Sequence, residues 1–395
     1  MIKKSRDIKS DKLICLALFA PMVVLMIQYF FLVYFNLLDT AIGIRLQLIS
    51  KLIVAFLFLP AFPFIIRRNF GKLFFVFVVS LLVFSIYYLA FPQNGEYIRS
   101  LFFPFFFISL PVLIYTLCIK DFVIFNKLMR ISAVIIFLFG ICLAFIVFLG
   151  RASFGAYSMT FSYYMLLPSI VFIDEYLDRK RLRSFLFAFI TFLLILALGS
   201  RGPVFCIFVF LFLKLARRYS KMTCRKLAIV IISLIFGFIL LIYSSEILWS
   251  INAIFLDFGI KSRTIALFLK EGPIHLSGRD ILFQSVWEAF MENPLLGIGL
   301  AGDRLILNGA YVHNFFVELL VHYGILFGGF IILVLGYFII RAFVIINNLN
   351  YRLFLIFFSI GFVPLMVSSS YLTDLKFWIF LGIVFNNNIY RSCPK

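Results

Sequence analysis

Residues 131–149 read Ile131-Ser-Ala-Val-Ile-Ile-Phe-Leu-Phe-Gly-Ile-Cys-Leu-Ala-Phe-Ile-Val-Phe-Leu149, without a single charged side chain. An apolar run of about 20 residues crosses the hydrocarbon core of a bilayer, and within lipid only a helix satisfies its own backbone donors and acceptors. The signature repeats along the chain. Twelve spans are predicted, at 13–35, 46–66, 73–91, 98–118, 131–149, 155–173, 184–199, 203–216, 227–243, 314–340, 353–371 and 375–390. The 395 residues are 64% hydrophobic and only 13% charged, about half the charged share of an average soluble domain. The expected class is therefore an all-α, polytopic membrane protein. Its first apolar run is too long for a signal-peptide core and lacks a small-residue cleavage site, so it is expected to stay as a span. The six cysteines fall in spans or predicted cytoplasmic loops and imply no disulfide framework.

A formal charge of +19 could mean a nucleic-acid partner, but its placement argues otherwise. Lysine and arginine gather at Lys3, Lys4, Arg6, Lys9 and Lys12, at Arg67, Arg68 and Lys72, at Arg179, Lys180, Arg181 and Arg183, and at Lys214, Arg217, Arg218, Lys221, Arg225 and Lys226. In the predicted topology these clusters share one side, the pattern of cytoplasmic loops. Both termini are then cytoplasmic. The chain divides into spans one to nine (1–243), a large extracytoplasmic loop (244–312) and spans ten to twelve (313–395). The loop faces away from ATP and nucleotide sugars. No internal repeat is visible and the other outer loops are short, which weighs against a transporter.

Within the loop, Ile281, Leu282, Ser285, Val286, Ala289 and Phe290 fall on one stripe at helical spacing, with Gln284, Glu288 and Glu292 off it. Ser277 and Asp280 read as a start signal and Asn293-Pro294 as a stop, so an amphipathic helix is predicted over 278–292. Gly297, Gly299 and Gly302 mark places where the backbone can approach another segment closely.

Three side chains stand out as candidates for chemistry. Arg279 falls in the first turn of that helix, where the dipole disfavours a cation but where backbone N–H groups and a guanidinium together cradle an anion. Arg201, in Gly199-Ser-Arg-Gly-Pro203, joins two spans of about 16 and 14 residues, too short for the full core. It is expected to sit below the outer surface, where an arginine needs a polar cavity or partner. His313 opens the tenth span at the outer boundary, and an imidazole can take a proton from an attacking hydroxyl near neutral pH. Glu318 and His322 lie four apart on that span and can pair. No His-Glu-x-x-His, Walker or Gly-x-Ser-x-Gly motif occurs, and the first outer loop has a single acid, Asp39. A mechanism without metal or cofactor is expected.

Taken together, Ser277-Gly-Arg-Asp280, Trp287, Asn293-Pro-Leu-Leu-Gly-Ile-Gly299, Gly302-Asp-Arg304 and His313-Asn-Phe-Phe-Val-Glu318, followed by Tyr323-Gly324 and Gly328, resemble the O-antigen polymerase and ligase superfamily in order and spacing. The resemblance implies a GT-C-like membrane glycosyltransferase that joins undecaprenyl-pyrophosphate-linked oligosaccharides on the outer face of a bacterial plasma membrane. By motif, Arg201 and Arg279 correspond to the arginines that hold the donor pyrophosphate, and His313 to the histidine near the acceptor. Arg304, Arg151, Asn314, Glu318 and Tyr311 are the candidates for substrate binding. The implied partners are the lipid-linked oligosaccharide, membrane lipid and a polysaccharide chain-length regulator, with no nucleic acid. Phe327 stands where related ligases place Gly, Thr or Tyr, while the Asn293–Gly299 and Gly302–Arg304 segments look more like capsule and exopolysaccharide repeat-unit polymerases. Polymerase is expected ahead of ligase, and both ahead of a flippase.

Overall fold

The computed structural model describes residues 2–38, 40–149, 159–198, 200–218, 249–250, 253, 256–257, 279–346 and 348–390. Among them there is no strand. In chain order the α-helices are α1 (Ile2–Tyr34), α2 (Ala41–Phe56), α3 (Phe62–Ala90), α4 (Gly95–Pro104), α5 (Leu110–Leu117), α6 (Phe122–Phe148), α7 (Met159–Arg179), α8 (Leu182–Leu198) and α9 (Arg201–Arg218). After these come α10 (Arg279–Glu292), α11 (Gly302–Ile306), α12 (Phe315–Ile345), α13 (Asn348–Phe357) and α14 (Leu375–Phe385). Among the described residues five helical segments are long and apolar enough to cross a membrane: Asp7–Tyr34, Ala41–Ala90, Pro92–Leu117, Phe122–Phe148 and Phe315–Ile345. This is an integral membrane protein.

The twelve predicted spans are only partly recovered. The expected break between 46–66 and 73–91 is a kink inside α3, where Asn69 leaves helical geometry at φ −156° and ψ 49°. Arg68, expected in an exposed basic loop, is nearly buried. It donates to the Asp11 carboxylate, the Ser10 hydroxyl and, at 2.8 Å, the Cys118 carbonyl. The predicted span 353–371 also breaks, passing from α13 through a π turn and the 3-10 turn Val363–Met366 into a non-helical segment at 367–374. The predicted span 227–243 lies outside the described residues.

The chain packs as two compact units. One comprises Val23–Gln47 and Arg130–His275. In it Phe137 of α6, Phe172 of α7 and Phe187 of α8 meet with ring centroids 4.8 to 5.4 Å apart. Asp174, wholly buried, meets Lys214 at 2.8 Å, which gives the buried charge the partner it requires.

The other unit comprises Met1–Met22, Leu48–Met129 and Leu276–Lys395. Its amphipathic helix α10 lies where the apolar stripe predicts: Val286 and Phe290 are buried while Gln284, Glu288 and Glu292 face outward. The stripe packs with Val312 and Val321, joined by Phe283, Ile298, Ile306, Leu307, Val317 and Leu320. Helix α12 is not one straight rod. It breaks at Gly324, with φ 72° and ψ 178°, a conformation essentially reserved for glycine. In a straight helix Leu319 and Gly328 would be about 13 Å apart along the axis. Here a Cβ on Gly328 would fall 2.5 Å from the Leu319 carbonyl oxygen, so the two halves fold back on each other.

The break frees backbone groups, and the loop takes them up. Ile298 N–H donates to the Val321 carbonyl at 2.8 Å, and Ile325 N–H to that of Pro294 at 2.9 Å. This is how irregular backbone becomes tolerable in a membrane protein. Two glycines allow the approach: a Cβ on Gly297 would meet Val321 O at 2.4 Å, and one on Gly324 would meet Leu295 O at 2.0 Å. Gly324→Ala is therefore expected to destabilise the protein by about 3 kcal/mol or more, from overpacking and backbone strain together. Gly329→Ala, with nothing within 4 Å, should be nearly neutral. Thermal unfolding of the two purified variants makes the comparison, and equal midpoints would contradict the account of the break.

Candidate functional site

The packing of α12 against the 294–298 segment brings α11, the turn before α12 and the 367–374 segment around one buried polar cluster. Short α11 begins after Ala301, held at φ 60°. Asn94 secures this stretch by donating to the carbonyls of Ile298 at 3.0 Å and Leu300 at 3.2 Å. The consequence is that Asp303 and Arg304 point inward. Asp303, Glu318 and His322 are 0% exposed and Arg304 is 6% exposed.

Every acid in the cluster is answered. The Asp303 carboxylate accepts from His322 Nε2 at 2.7 Å and from Val312 N–H at 3.2 Å. Burial alone would push the Asp303 carboxyl up, but His322, Arg304 and the Val312 N–H outweigh it and hold the group below the usual carboxylate range. Glu318 accepts from the Ser370 hydroxyl and from Tyr371 N–H. His322 Nδ1 lies 2.9 Å from the Tyr371 hydroxyl, which in turn lies 3.1 Å from that of Tyr323. Sequence spacing suggested a pair between Glu318 and His322; the hydrogen-bond partners are instead Asp303, Ser370 and Tyr371. Ligand atoms of Asp303, Glu318 and His322 lie within 4.8 Å of one another and could surround a metal ion. The Arg304 guanidinium, donating to the same Ser370 hydroxyl at 3.2 Å, opposes a second cation there.

Arg304 is the exception to this saturation. One terminal nitrogen, Nη1, is buried without a hydrogen-bond partner among the described residues, and the guanidinium carbon stands 5.7 Å from the centre of the Tyr311 ring. A buried guanidinium with an unused donor is costly in isolation and suited to an anionic ligand. His313 also meets Tyr311. Its ring centroid is 4.2 Å from that of Tyr311, and its Nδ1 lies 3.2 Å from the Ser368 carbonyl. A carbonyl only accepts, so Nδ1 carries the hydrogen and Nε2 is the basic nitrogen of the neutral ring. The Tyr311 hydroxyl donates to the same carbonyl at 2.7 Å. His313 adopts φ 56°, a left-handed conformation uncommon for a side-chain-bearing residue.

Of the residues singled out from sequence, Arg304, Tyr311, His313 and Glu318 come together. Asn314 beside them caps α12, its side-chain oxygen accepting from Phe316 N–H and Val317 N–H at 3.1 and 3.2 Å. Arg279 is the first residue of α10. Arg201 is the first residue of α9, in the other unit, rather than part of a turn ending at Pro203. It follows Ser200, whose hydroxyl meets that of Ser162 at 3.0 Å. Arg151 lies outside the described residues, as does the expected cap Ser277. Sequence reasoning missed Asp303 as a partner of His322, and it missed Ser368, Ser370 and Tyr371 altogether. Their signal was present as Ser368-Ser-Ser-Tyr371 at the end of an otherwise apolar run, four residues after Pro364.

Residues 186–334 match the family model described as O-antigen ligase. The match covers most of α8, all of α9, α10 and α11 and the first two-thirds of α12, with the residues Arg304 to His322 inside it. No curated protein matches the chain in a sequence comparison.

Proposed function

We propose, on the premise that residues 186–334 place this chain in the O-antigen polymerase and ligase superfamily, that it polymerises undecaprenyl-pyrophosphate-linked oligosaccharide repeat units into a surface polysaccharide. The observation that carries the reading is the Tyr311 ring, which lies near both the buried Arg304 guanidinium, with its unused donor among the described residues, and the His313 imidazole, whose basic nitrogen is Nε2. Glycosyl transfer from a pyrophosphate needs both. The acceptor hydroxyl oxygen attacks the anomeric carbon, the bond from that carbon to the pyrophosphate oxygen breaks, and the electron pair leaves with the pyrophosphate. His313 Nε2 takes the hydroxyl proton, and Arg304, with Arg201 and Arg279 by family motif, balances the charge that gathers on the leaving group. In this reading the reaction is independent of metal and cofactor.

The amphiphilic donor also needs an apolar resting place. An open groove of about 330 Å³ lined by Phe283, Gln284, Trp287 and Val317 joins the outward side of α10 to the first turn of α12, close in sequence to His313 and Glu318. It suits a polyprenyl chain. The proposed setting is the plasma membrane, with both termini cytoplasmic, the 244–312 loop outside, and a chain-length regulator as partner.

The second reading is a ligase that transfers finished polymer to another acceptor, as the description of the family model suggests. The Asn293–Gly299 and Gly302–Arg304 segments favour polymerase. Purified protein in detergent with defined lipid-linked repeat units separates the two. A ladder of lengthened lipid-linked products supports polymerisation; transfer only to an added lipid or glycan acceptor supports ligation, and neither product would refute both.

A further inference from the structure

We infer that the buried Asp303–His322 pair is a positioning device for His313. The inference rests on the reading of His313 as the proton acceptor. The left-handed backbone of His313 is disfavoured for a residue with a side chain, so neighbouring groups must hold it. Two of them are on hand. The residue before it, Val312, is pinned through its N–H to one oxygen of Asp303 at 3.2 Å. The ring itself is pinned through Nδ1 to the Ser368 carbonyl at 3.2 Å.

His322 ties the two pins together. Its Nε2 meets the other Asp303 oxygen at 2.7 Å, and its Nδ1 meets the Tyr371 hydroxyl at 2.9 Å, three residues along the segment that supplies Ser368. The Trp378 indole donates to the Tyr371 carbonyl at 2.8 Å and secures that segment on α14. One path therefore runs from Val312 through Asp303, His322 and Tyr371 to Ser368, and His313 lies between its ends. A carboxylate and an imidazole withdrawn wholly from water are expensive for stability alone, where an apolar pair often serves as well or better. Fixing the geometry of a reactive group gives the cost a purpose.

The test is a set of double-mutant cycles on the full-length protein, with transfer between undecaprenyl-pyrophosphate-linked oligosaccharides as the readout. Asp303→Ala and His322→Ala are each expected to lower kcat by about 30- to 100-fold while KM for the lipid-linked donor stays within about two-fold. In the His313→Ala background the same substitutions should cost less than about two-fold, because residues acting as a unit are not additive. His322→Gln, whose amide can still donate to Asp303, should recover at least about a tenth of the wild-type rate.

If the losses persist in full beside His313→Ala, or if KM rises in step with the fall in kcat, the pair acts on Arg304 or on stability and the inference falls. A His313→Ala protein with the wild-type rate would instead refute the reading of His313, independently of Asp303. Should Asp303→Ala fail to give monodisperse protein, Asp303→Asn and His322→Gln carry the same cycle, and full additivity there overturns the proposal.

Discussion

His313→Ala is expected to lower glycosyl transfer by about 10²- to 10⁴-fold, the usual worth of a positioned general base, with KM for the lipid-linked donor little changed. The split follows from the geometry. His313 hydrogen-bonds through Nδ1 to the Ser368 carbonyl, so Nε2 is the nitrogen that can take a proton, and that proton moves only as the acceptor attacks. An interaction made chiefly in the transition state shows in kcat rather than in donor binding. His313→Gln sharpens the test: the amide can still donate to Ser368 but cannot accept a proton as a base, so its rate should stay near that of the alanine variant. A glutamine variant at the wild-type rate would leave His313 with a merely structural part. Steady-state kinetics with one fixed repeat unit measures both variants.

Arg304→Lys is expected to be almost as damaging as Arg304→Ala, with a loss of at least about 10²-fold in kcat/KM. Arg304 donates through Nη2 to Ser370, leaves Nη1 without a partner among the described residues, and lies over Tyr311. Lysine retains the charge but loses the planar fork that lets one group bond Ser370 and a phosphate oxygen together. Removing one partner of a buried charge network also leaves Glu318 and Asp303 undercompensated, so alanine carries an added cost of about 3 kcal/mol or more in stability. Rate and thermal midpoint therefore separate the two substitutions: lysine should lose activity with the smaller change in midpoint. Near wild-type kcat/KM for Arg304→Lys would remove Arg304 from the donor site.

The parts of the fold read correctly from sequence are those fixed by local periodicity. The apolar composition of α1 and α6 gives spans, and the stripe from Ile281 to Phe290 gives α10 with its end at Asn293-Pro294, because these signals repeat within one element. What escaped reading depends on distant partners. Asn69 interrupts α3 without ending it, and Arg68 is drawn inward by Asp11, 57 residues away. The segment after Pro364 looked like the end of a span because its flanking residues are apolar, while the reason it unwinds lies in Glu318 and His322, some fifty residues earlier. The site followed the same rule. His313 and Arg304 could be picked out by residue type and motif, but the pairing of Asp303 with His322 is a property of how α12 folds back at Gly324.

Main-chain hydrogen bonds from Pro294 and Ile298 to Ile325 and Val321 tie that fold-back together. The side chains of Leu295 and Leu296 between them are 59% and 56% exposed and take no part. The junction is thus blind to the side chains at 295 and 296. Descendants of this chain can exchange Leu295 and Leu296 freely while Gly297 and Gly324 remain tied to each other. A larger residue at either glycine would demand a compensating change across the junction, so the two positions should drift as one.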